Sequence, residues 1–290
     1  MPCFHPISVN KRGFSDLHIT VACGRCIGCR IDKARDWATR CIHEAQLHDE
    51  SWFVTLTYDD THLPPGASLR PKDYTDFMKR LRKAREPSKI RFLQCGEYGG
   101  RNHRPHHHAL LFGVSFPDRK PVPGSADEGK PRWTSEELNR IWSNGNTDIG
   151  VVNHKTAAYC ARYILKKITG DRAETHYRFV DPSTGEVFQR VPEYATMSRR
   201  PGLGHGWLRQ YFSDVFPDDF IALRDGKQVP VPPYYDKQLQ EVDPELFDRI
   251  KAARLAYALE PRQQKNSTPA RLRVREEVAT AATNLQPRKL

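Results

Sequence analysis

Residues 104–113 read Arg104-Pro105-His106-His107-His108-Ala109-Leu110-Leu111-Phe112-Gly113, and the way this stretch lies organises the rest of the chain. As a strand, its side chains alternate between faces. His106 and His108 then share one face, while His107 goes to the other with Ala109 and Leu111. Two imidazoles side by side make half of a metal site. Residues 90–97 read as a second strand, and the turn-rich Tyr98-Gly99-Gly100-Arg101-Asn102-His103-Arg104-Pro105 brings the chain back. Antiparallel pairing sets Glu97 opposite or diagonal to His106, within cross-strand reach. Glu97, His106 and His108 are therefore expected to hold a metal ion with open coordination positions. A surface run of histidines, or imidazoles hydrogen-bonded in a core, is the competing reading, because short motifs also match by chance.

A second pattern lies downstream, in Tyr159-Cys160-Ala161-Arg162-Tyr163-Ile164-Leu165-Lys166-Lys167. On a helix Tyr159, Tyr163 and Lys166 fall at i, i+4 and i+7, one stripe with two phenols a turn apart and an ammonium beside them. Such stripes more often pack a core than do chemistry. Here the stripe sits on a basic helix shortly after the histidine strand.

Together these patterns resemble the HUH endonucleases, and more closely the replication initiators of gokushovirus-type single-stranded DNA phages of the Microviridae. Trp52-Phe53-Val54-Thr55-Leu56-Thr57-Tyr58 resembles the family's first motif, His106-His107-His108 its metal motif, and the segment from Tyr159 to Lys166 its paired-tyrosine motif. The Cys-rich start and Met197-Ser198-Arg199-Arg200-Pro201-Gly202 belong to the same resemblance, which fades beyond residue 215. His107 departs from the pattern, since a bulky apolar residue is expected between the two ligands; the change is expected to be tolerated.

The resemblance implies a rolling-circle initiator that nicks single-stranded or extruded origin DNA. Tyrosine attack would give a 5'-phosphotyrosine intermediate, and strand transfer and ligation would then circularise the genome. Tyr159 and Tyr163 would be the nucleophiles, and Lys166 would steer phosphate or stabilise the leaving oxygen. The resemblance implies Mg2+ or Mn2+ at Glu97, His106 and His108, although imidazole ligands by themselves favour transition ions. Arg162, Lys167, Arg199 and Arg200 are expected to contact DNA. The implied partners are single-stranded DNA, the origin, and a host polymerase and helicase, for a monomer in the host bacterial cytoplasm. Two alternatives stay open: an HUH plasmid relaxase or transposase, and a noncatalytic zinc-dependent single-stranded DNA-binding protein whose tyrosines only stack on bases.

Composition agrees with a polyanionic partner. Among 290 residues, 46 are Lys or Arg and 35 Asp or Glu, a net charge of +11 spread along the chain rather than gathered in a tail. No stretch carries the uninterrupted apolar run of a membrane span, and the first residues lack the layout of a secretory signal. No GxxxxGK[ST] loop is present, so nothing argues for ATP hydrolysis within this chain.

In a cytosolic setting the seven cysteines are expected as thiols or ligands rather than disulfides. Cys3 and the run Cys23-Gly24-Arg25-Cys26-Ile27-Gly28-Cys29 have the spacing of a structural zinc knuckle, with His5 an alternative fourth ligand. Reduced thiols and an iron–sulfur cluster remain the other readings. Cys95 and Cys160 are expected in the core.

The organisation expected is a Cys-rich segment and helix over 1–50, an endonuclease core over 51–170, and an extension with hairpins and helices over 171–260. A basic, weakly ordered tail over 261–290 follows, with seven basic and two acidic residues. Helical spacing is clear over 31–47, 70–85 and 243–259, and Thr134-Ser135-Glu136-Glu137 opens another helix. The core order is strand, helix, strand, strand, helix, strand, helix. That order points to an α+β fold, an antiparallel sheet with packed helices, as in ferredoxin-like or RRM-like cores.

Overall fold

The computed structural model describes residues 3–10, 16–99, 102–127, 129, 131–163, 172–182, 184–223 and 226–285. In chain order, strands β1 (Ile7–Asn10) and β2 (His18–Val21) precede helix α1 (Ile27–Ala45), strand β3 (Ser51–Thr57), helix α2 (Pro71–Ala84) and strands β4 (Arg91–Tyr98) and β5 (Pro105–Phe112). Next come β6 (Lys120–Pro121), β7 (Arg132–Thr134), α3 (Glu136–Trp142), β8 (Thr147–Val151), α4 (His154–Tyr163) and α5 (Arg172–Tyr177). Strands β9 (Arg178–Val180), β10 (Val187–Gln189) and β11 (Tyr194–Met197) lead to α6 (His205–Gln210), β12 (Phe220–Ala222) and β13 (Gln228–Pro230). Helices α7 (Pro233–Val242), α8 (Pro244–Leu259), α9 (Pro261–Asn266) and α10 (Pro269–Leu285) close the chain. Two compact units result, one of residues 38–207 and one of residues 1–37 with 208–290, so the division falls inside α1.

The first of these units is built on a seven-stranded antiparallel sheet in the order β11-β4-β5-β3-β8-β7-β6. Its four central strands run β4-β5-β3-β8. With α2 and α3 between them in sequence they form the βαββαβ arrangement, as the order of patterns in the sequence predicts. Alternation fixes what each face carries. Ala109 and Leu111 of β5 lie with Val54 and Leu56 of β3 and Tyr58 just after it in a core completed by Tyr74, Phe77, Met78 and Leu81 of α2 and by Leu138, Ile141 and Trp142 of α3. The α2 residues recur at i, i+3, i+4 and i+7, the stripe that lays one helix face on a sheet. Ser135 caps α3 by accepting the Leu138 amide (3.0 Å). Trp142 Nε1 donates to the Thr57 carbonyl (2.8 Å), tying α3 to β3.

The opposite face carries Phe53, Leu93, Cys95 and Leu110, all buried. Helix α4 lies over β4 and β5 here and meets the sheet through small residues, Ala157, Cys160 and Ala161, each fully buried. Cys95 and Cys160 are thus core residues, as expected. Gly96 is bare for a reason: a Cβ there would come within 2.7 Å of the Tyr194 ring packed from β11.

In the other unit, β1 pairs with β2 and β12 with β13, both antiparallel. Arg254 of α8 grips Asp236 of α7 with two nitrogens at 2.8 Å and also pairs with Asp219 through Nε (2.7 Å) and Nη2. Within the segment expected as a weakly ordered tail, Pro261–Asn266 and Pro269–Leu285 are the helices α9 and α10. Proline starts both helices, and the Ala-, Arg- and Glu-rich sequence of α10 buries Leu272 on one side. A low count of large apolar residues does not preclude helix here, since one anchored side chain and good propensity are enough to hold a helix against a neighbour.

Candidate active site

Pairing of β4 with β5 puts Glu97 directly opposite His106 and Cys95 opposite His108. Glu97, His106 and His108 consequently converge, one ligand atom from each lying within 4.8 Å of the others. Glu97 Oε1 stands 2.8 Å from His106 Nε2 and 3.0 Å from His108 Nε2. Burial alone would raise the Glu97 pKa, but hydrogen bonds from the two imidazoles hold it down to about 2. The carboxylate is therefore ionised at neutral pH.

Partners on the far side of each ring orient the histidines. His106 Nδ1 donates to the Arg104 carbonyl (3.1 Å), which turns Nε2 toward Glu97. His108 Nδ1 pairs with Thr55 Oγ1 (2.9 Å), and Phe53 stacks on the same ring at 5.3 Å. Two imidazole Nε2 atoms meet one ionised carboxylate at 2.8 and 3.0 Å, so a cation shared by all three residues would take the place of the hydrogen bonds between them. The donor set, two imidazole nitrogens and a carboxylate steered from behind, fits a divalent ion.

Helix α4 brings the first of the two tyrosines to this cluster. Asn153 opens the helix by accepting the amides of Lys155 and Thr156 (2.9 and 3.0 Å). One turn on, the Tyr159 hydroxyl donates to Glu97 Oε1 (3.0 Å) and lies 3.5 Å from His108 Nε2. Its ring meets His108 edge-on at 5.1 Å, and the Arg162 guanidinium sits 5.7 Å from the ring centre. Tyr163 closes α4 on the same stripe, but its side chain lies outside the described residues, as do Lys166 and Lys167.

The remaining expected DNA contacts are placed unevenly. Arg162 is exposed beside Tyr159. Arg199 and Arg200 are exposed in a groove with Arg82, Lys89 and Arg91, where β4 begins. Six residues of strand, ~20 Å, separate Arg91 from Glu97, so the structure does not bring this pair to the histidines. Thr55, which the sequence offers only as part of the Trp52–Tyr58 strand motif, also touches the cluster through His108. Its role shows once the register sets it opposite His108.

Residues 51–168 match the family model for the replication-associated protein ORF2/G2P. The replication-associated protein VP4 of Bdellovibrio phage phiMH2K is 32% identical over 266 residues, covering 84% of this chain and 79% of that protein. The chain belongs to the phage replication-associated proteins. A second member, ORF2 of Spiroplasma virus 4, is 32% identical over 248 residues, 81% of this chain and 73% of its own length. ORF4 of Chlamydia phage 1 is 33% identical over 152 residues, half of this chain and 38% of that protein. The resemblance to Microviridae replication proteins read from the motifs therefore holds, and the matched span takes in Glu97, His106, His108, Tyr159 and Tyr163. No solved structure matches. Among the described residues no helix is long and apolar enough to cross a membrane.

Proposed function

We propose that this replication-associated protein initiates rolling-circle replication in the host cytoplasm by nicking single-stranded origin DNA and later rejoining it, as an HUH endonuclease. The observation that carries this reading is the Tyr159 hydroxyl, held 3.0 Å from Glu97 Oε1 and 3.5 Å from His108 Nε2. A nucleophile and a ligand set in hydrogen-bond contact are what phosphoryl transfer at a cation requires.

Glu97, His106 and His108 would hold a divalent cation, Mg2+ or Mn2+, which when bound supplies Lewis-acid stabilisation of charge on a phosphoryl oxygen. Glu97 Oε1 orients the Tyr159 hydroxyl. The edge contact with His108 and the Arg162 guanidinium limit how the ring turns. The phenol gives up its proton to solvent as its oxygen bonds to phosphorus, the bond from phosphorus to the 3'-oxygen breaks, and that oxygen takes up a proton from solvent to leave as a 3'-hydroxyl. The new phosphotyrosine ester conserves the bond energy, so rejoining needs no nucleotide hydrolysis. Tyr163, the second phenol on the stripe, would cut the regenerated origin, and the released 3'-hydroxyl would attack the first phosphotyrosine to close the circle. Lys166 would stabilise the leaving oxygen by charge. Arg162, Lys167, Arg199 and Arg200 would bind the phosphate backbone.

The test incubates the protein with manganese and circular single-stranded DNA of its phage and looks for a covalent adduct after denaturation. An adduct is expected from the wild type and from Tyr159→Phe or Tyr163→Phe alone, and none from the double variant. Absence of adduct in the wild type would leave a binding protein, and full adduct in the double variant would remove the nucleophile assignment.

A further inference from the structure

We propose that Cys3, Cys23, Cys26 and Cys29 bind one zinc ion that fixes the β1–β2 hairpin to the start of α1 and thereby builds the seat for α10. This site is independent of the DNA chemistry proposed above.

The four sulfurs lie within 4.8 Å of one another. Cys26 and Cys29 are 3.6 Å apart at Sγ, and Cys23 and Cys29 4.0 Å. A tetrahedral zinc with bonds of ~2.3 Å demands sulfurs about 3.8 Å apart, and a disulfide would need about 2.05 Å. A two-iron cluster, which spreads its thiolates over two metals, suits so tight a set less well than a single ion.

The backbone around the sulfurs is arranged for thiolates. Cys23 N–H donates to Cys3 Sγ (3.2 Å), Phe4 N–H to Cys26 Sγ (3.3 Å), and Arg25 and Cys26 N–H to Cys23 Sγ (3.5 and 3.3 Å). Such donors stabilise negative sulfur and do little for a neutral thiol. The last two reach back because Gly24 sits at φ +72° with open space around it, a conformation that costs any other residue strain.

The hairpin also needs a staple. Cys3 and Cys23 bracket β1 and β2, whose side chains are largely exposed, Ile7 by 46% and Ile19 by 41%. A two-stranded hairpin of that kind is marginal in water by itself, and small units with thin cores commonly rely on a metal. Contacts with α10 start from the residues next to the first ligand. Arg275 lies over the Phe4 ring at 6.0 Å, and His5 Nε2 pairs with Glu276 at 2.7 Å. His5, the alternative fourth ligand in the sequence, is thus paired elsewhere, while Cys3 completes the set.

The test is elemental analysis of the full chain, expressed without a polyhistidine tag. About one zinc per chain is expected, retained in the His106→Ala/His108→Ala double variant and lost in Cys26→Ser/Cys29→Ser. Should the cysteine variant fail to fold, titrating the wild type with an organomercurial while following zinc release decides the matter, and cobalt substitution should give a tetrahedral thiolate spectrum. Hydrogen exchange on the His106→Ala/His108→Ala protein, before and after zinc removal, should show α10 losing protection while β3, β4 and β5 keep theirs. Wild type without zinc, iron with sulfide in its place, or zinc that leaves with the histidines would overturn the site. Unchanged protection of α10 after zinc release would overturn the seat.

Discussion

The two faces of β5 put identical side chains to opposite uses. His106 and His108 hold their Nδ1 atoms toward Arg104 and Thr55 and turn Nε2 to Glu97, where a carboxylate and a phenol gather. His107, between them in sequence, is fully buried against Trp142 and Tyr74. Its proton arrangement is the reverse. Tyr58 gives its single hydroxyl proton to Asp73 (2.9 Å), so its oxygen accepts from His107 Nε2 (3.2 Å), and His107 Nδ1 is left to accept from Tyr194 (3.4 Å). Burial pushes the His107 pKa down to about 3, keeping the ring neutral. Ring chemistry is the same in all three; the face of the strand decides whether the ring turns to the carboxylate and phenol of the candidate site or ties a core together.

Separating the two roles by mutation is the strongest way to break this comparison. His106→Ala or His108→Ala should cut adduct formation by about 10^3-fold or more, since a residue of the proposed cation site is lost, far out of proportion to the fall in urea midpoint that taking a partner from Glu97 brings. His107→Ala should do the reverse, costing about 3 kcal/mol through the cavity and the two hydrogen bonds lost with the ring, while folded molecules still form adduct. His107→Leu, which refills most of the volume, should fall between. Normal stability with lost cleavage in His107→Ala would erase the division between faces.

How much of this was legible in the sequence follows from the same alternation. A period of two is enough to place His106 with His108 and send His107 with Leu111, and the turn-rich segment at 98–105 is enough to bring Glu97 opposite. The helical period put Tyr159 and Tyr163 on one stripe. Thr55 was not legible as the partner of His108, because that pairing depends on which strand neighbours β5 and in what register. The tolerance for His107 was foreseen only as tolerance. Its reason, two tyrosines from β3's end and from β11, needs a strand at 194–197 that no pattern announced. Helices α9 and α10 were not legible either, since propensity without periodicity gives no face to read until Leu272 is seen buried.

A third buried imidazole sharpens what burial alone does. His43 stacks on Trp207 at 3.5 Å between ring centres, and burial pushes its pKa down to about 3. The unfolded chain takes up the proton near pH 6.5, so between pH 6.5 and 3 the unfolded state binds more protons and stability falls as pH falls. From pH 7 to pH 5 this one group should cost about 2 kcal/mol. His43→Phe keeps a ring against Trp207 and cannot titrate. Urea unfolding at the two pH values should show the variant losing about 2 kcal/mol less than the wild type. Equal losses would mean that His43 is protonated in the folded protein.

The smallest expected effect bears on the other side of the comparison, where orientation rather than burial is at stake. Thr55→Val keeps the volume and the β-branch that suit a strand, and removes only the oxygen 2.9 Å from His108 Nδ1. With that bond gone the ring is held less firmly with Nε2, the atom proposed to meet the cation, toward Glu97. Affinity for the cation should drop about tenfold, the lower end of what lost ligand-orienting bonds cost. The manganese concentration giving half-maximal adduct should rise by that factor, with the plateau rate near that of the wild type, and Thr55→Ser should restore it. A lowered plateau with unchanged metal dependence would assign Thr55 to the DNA instead, and no change in either would mean that Thr55 does not aim His108.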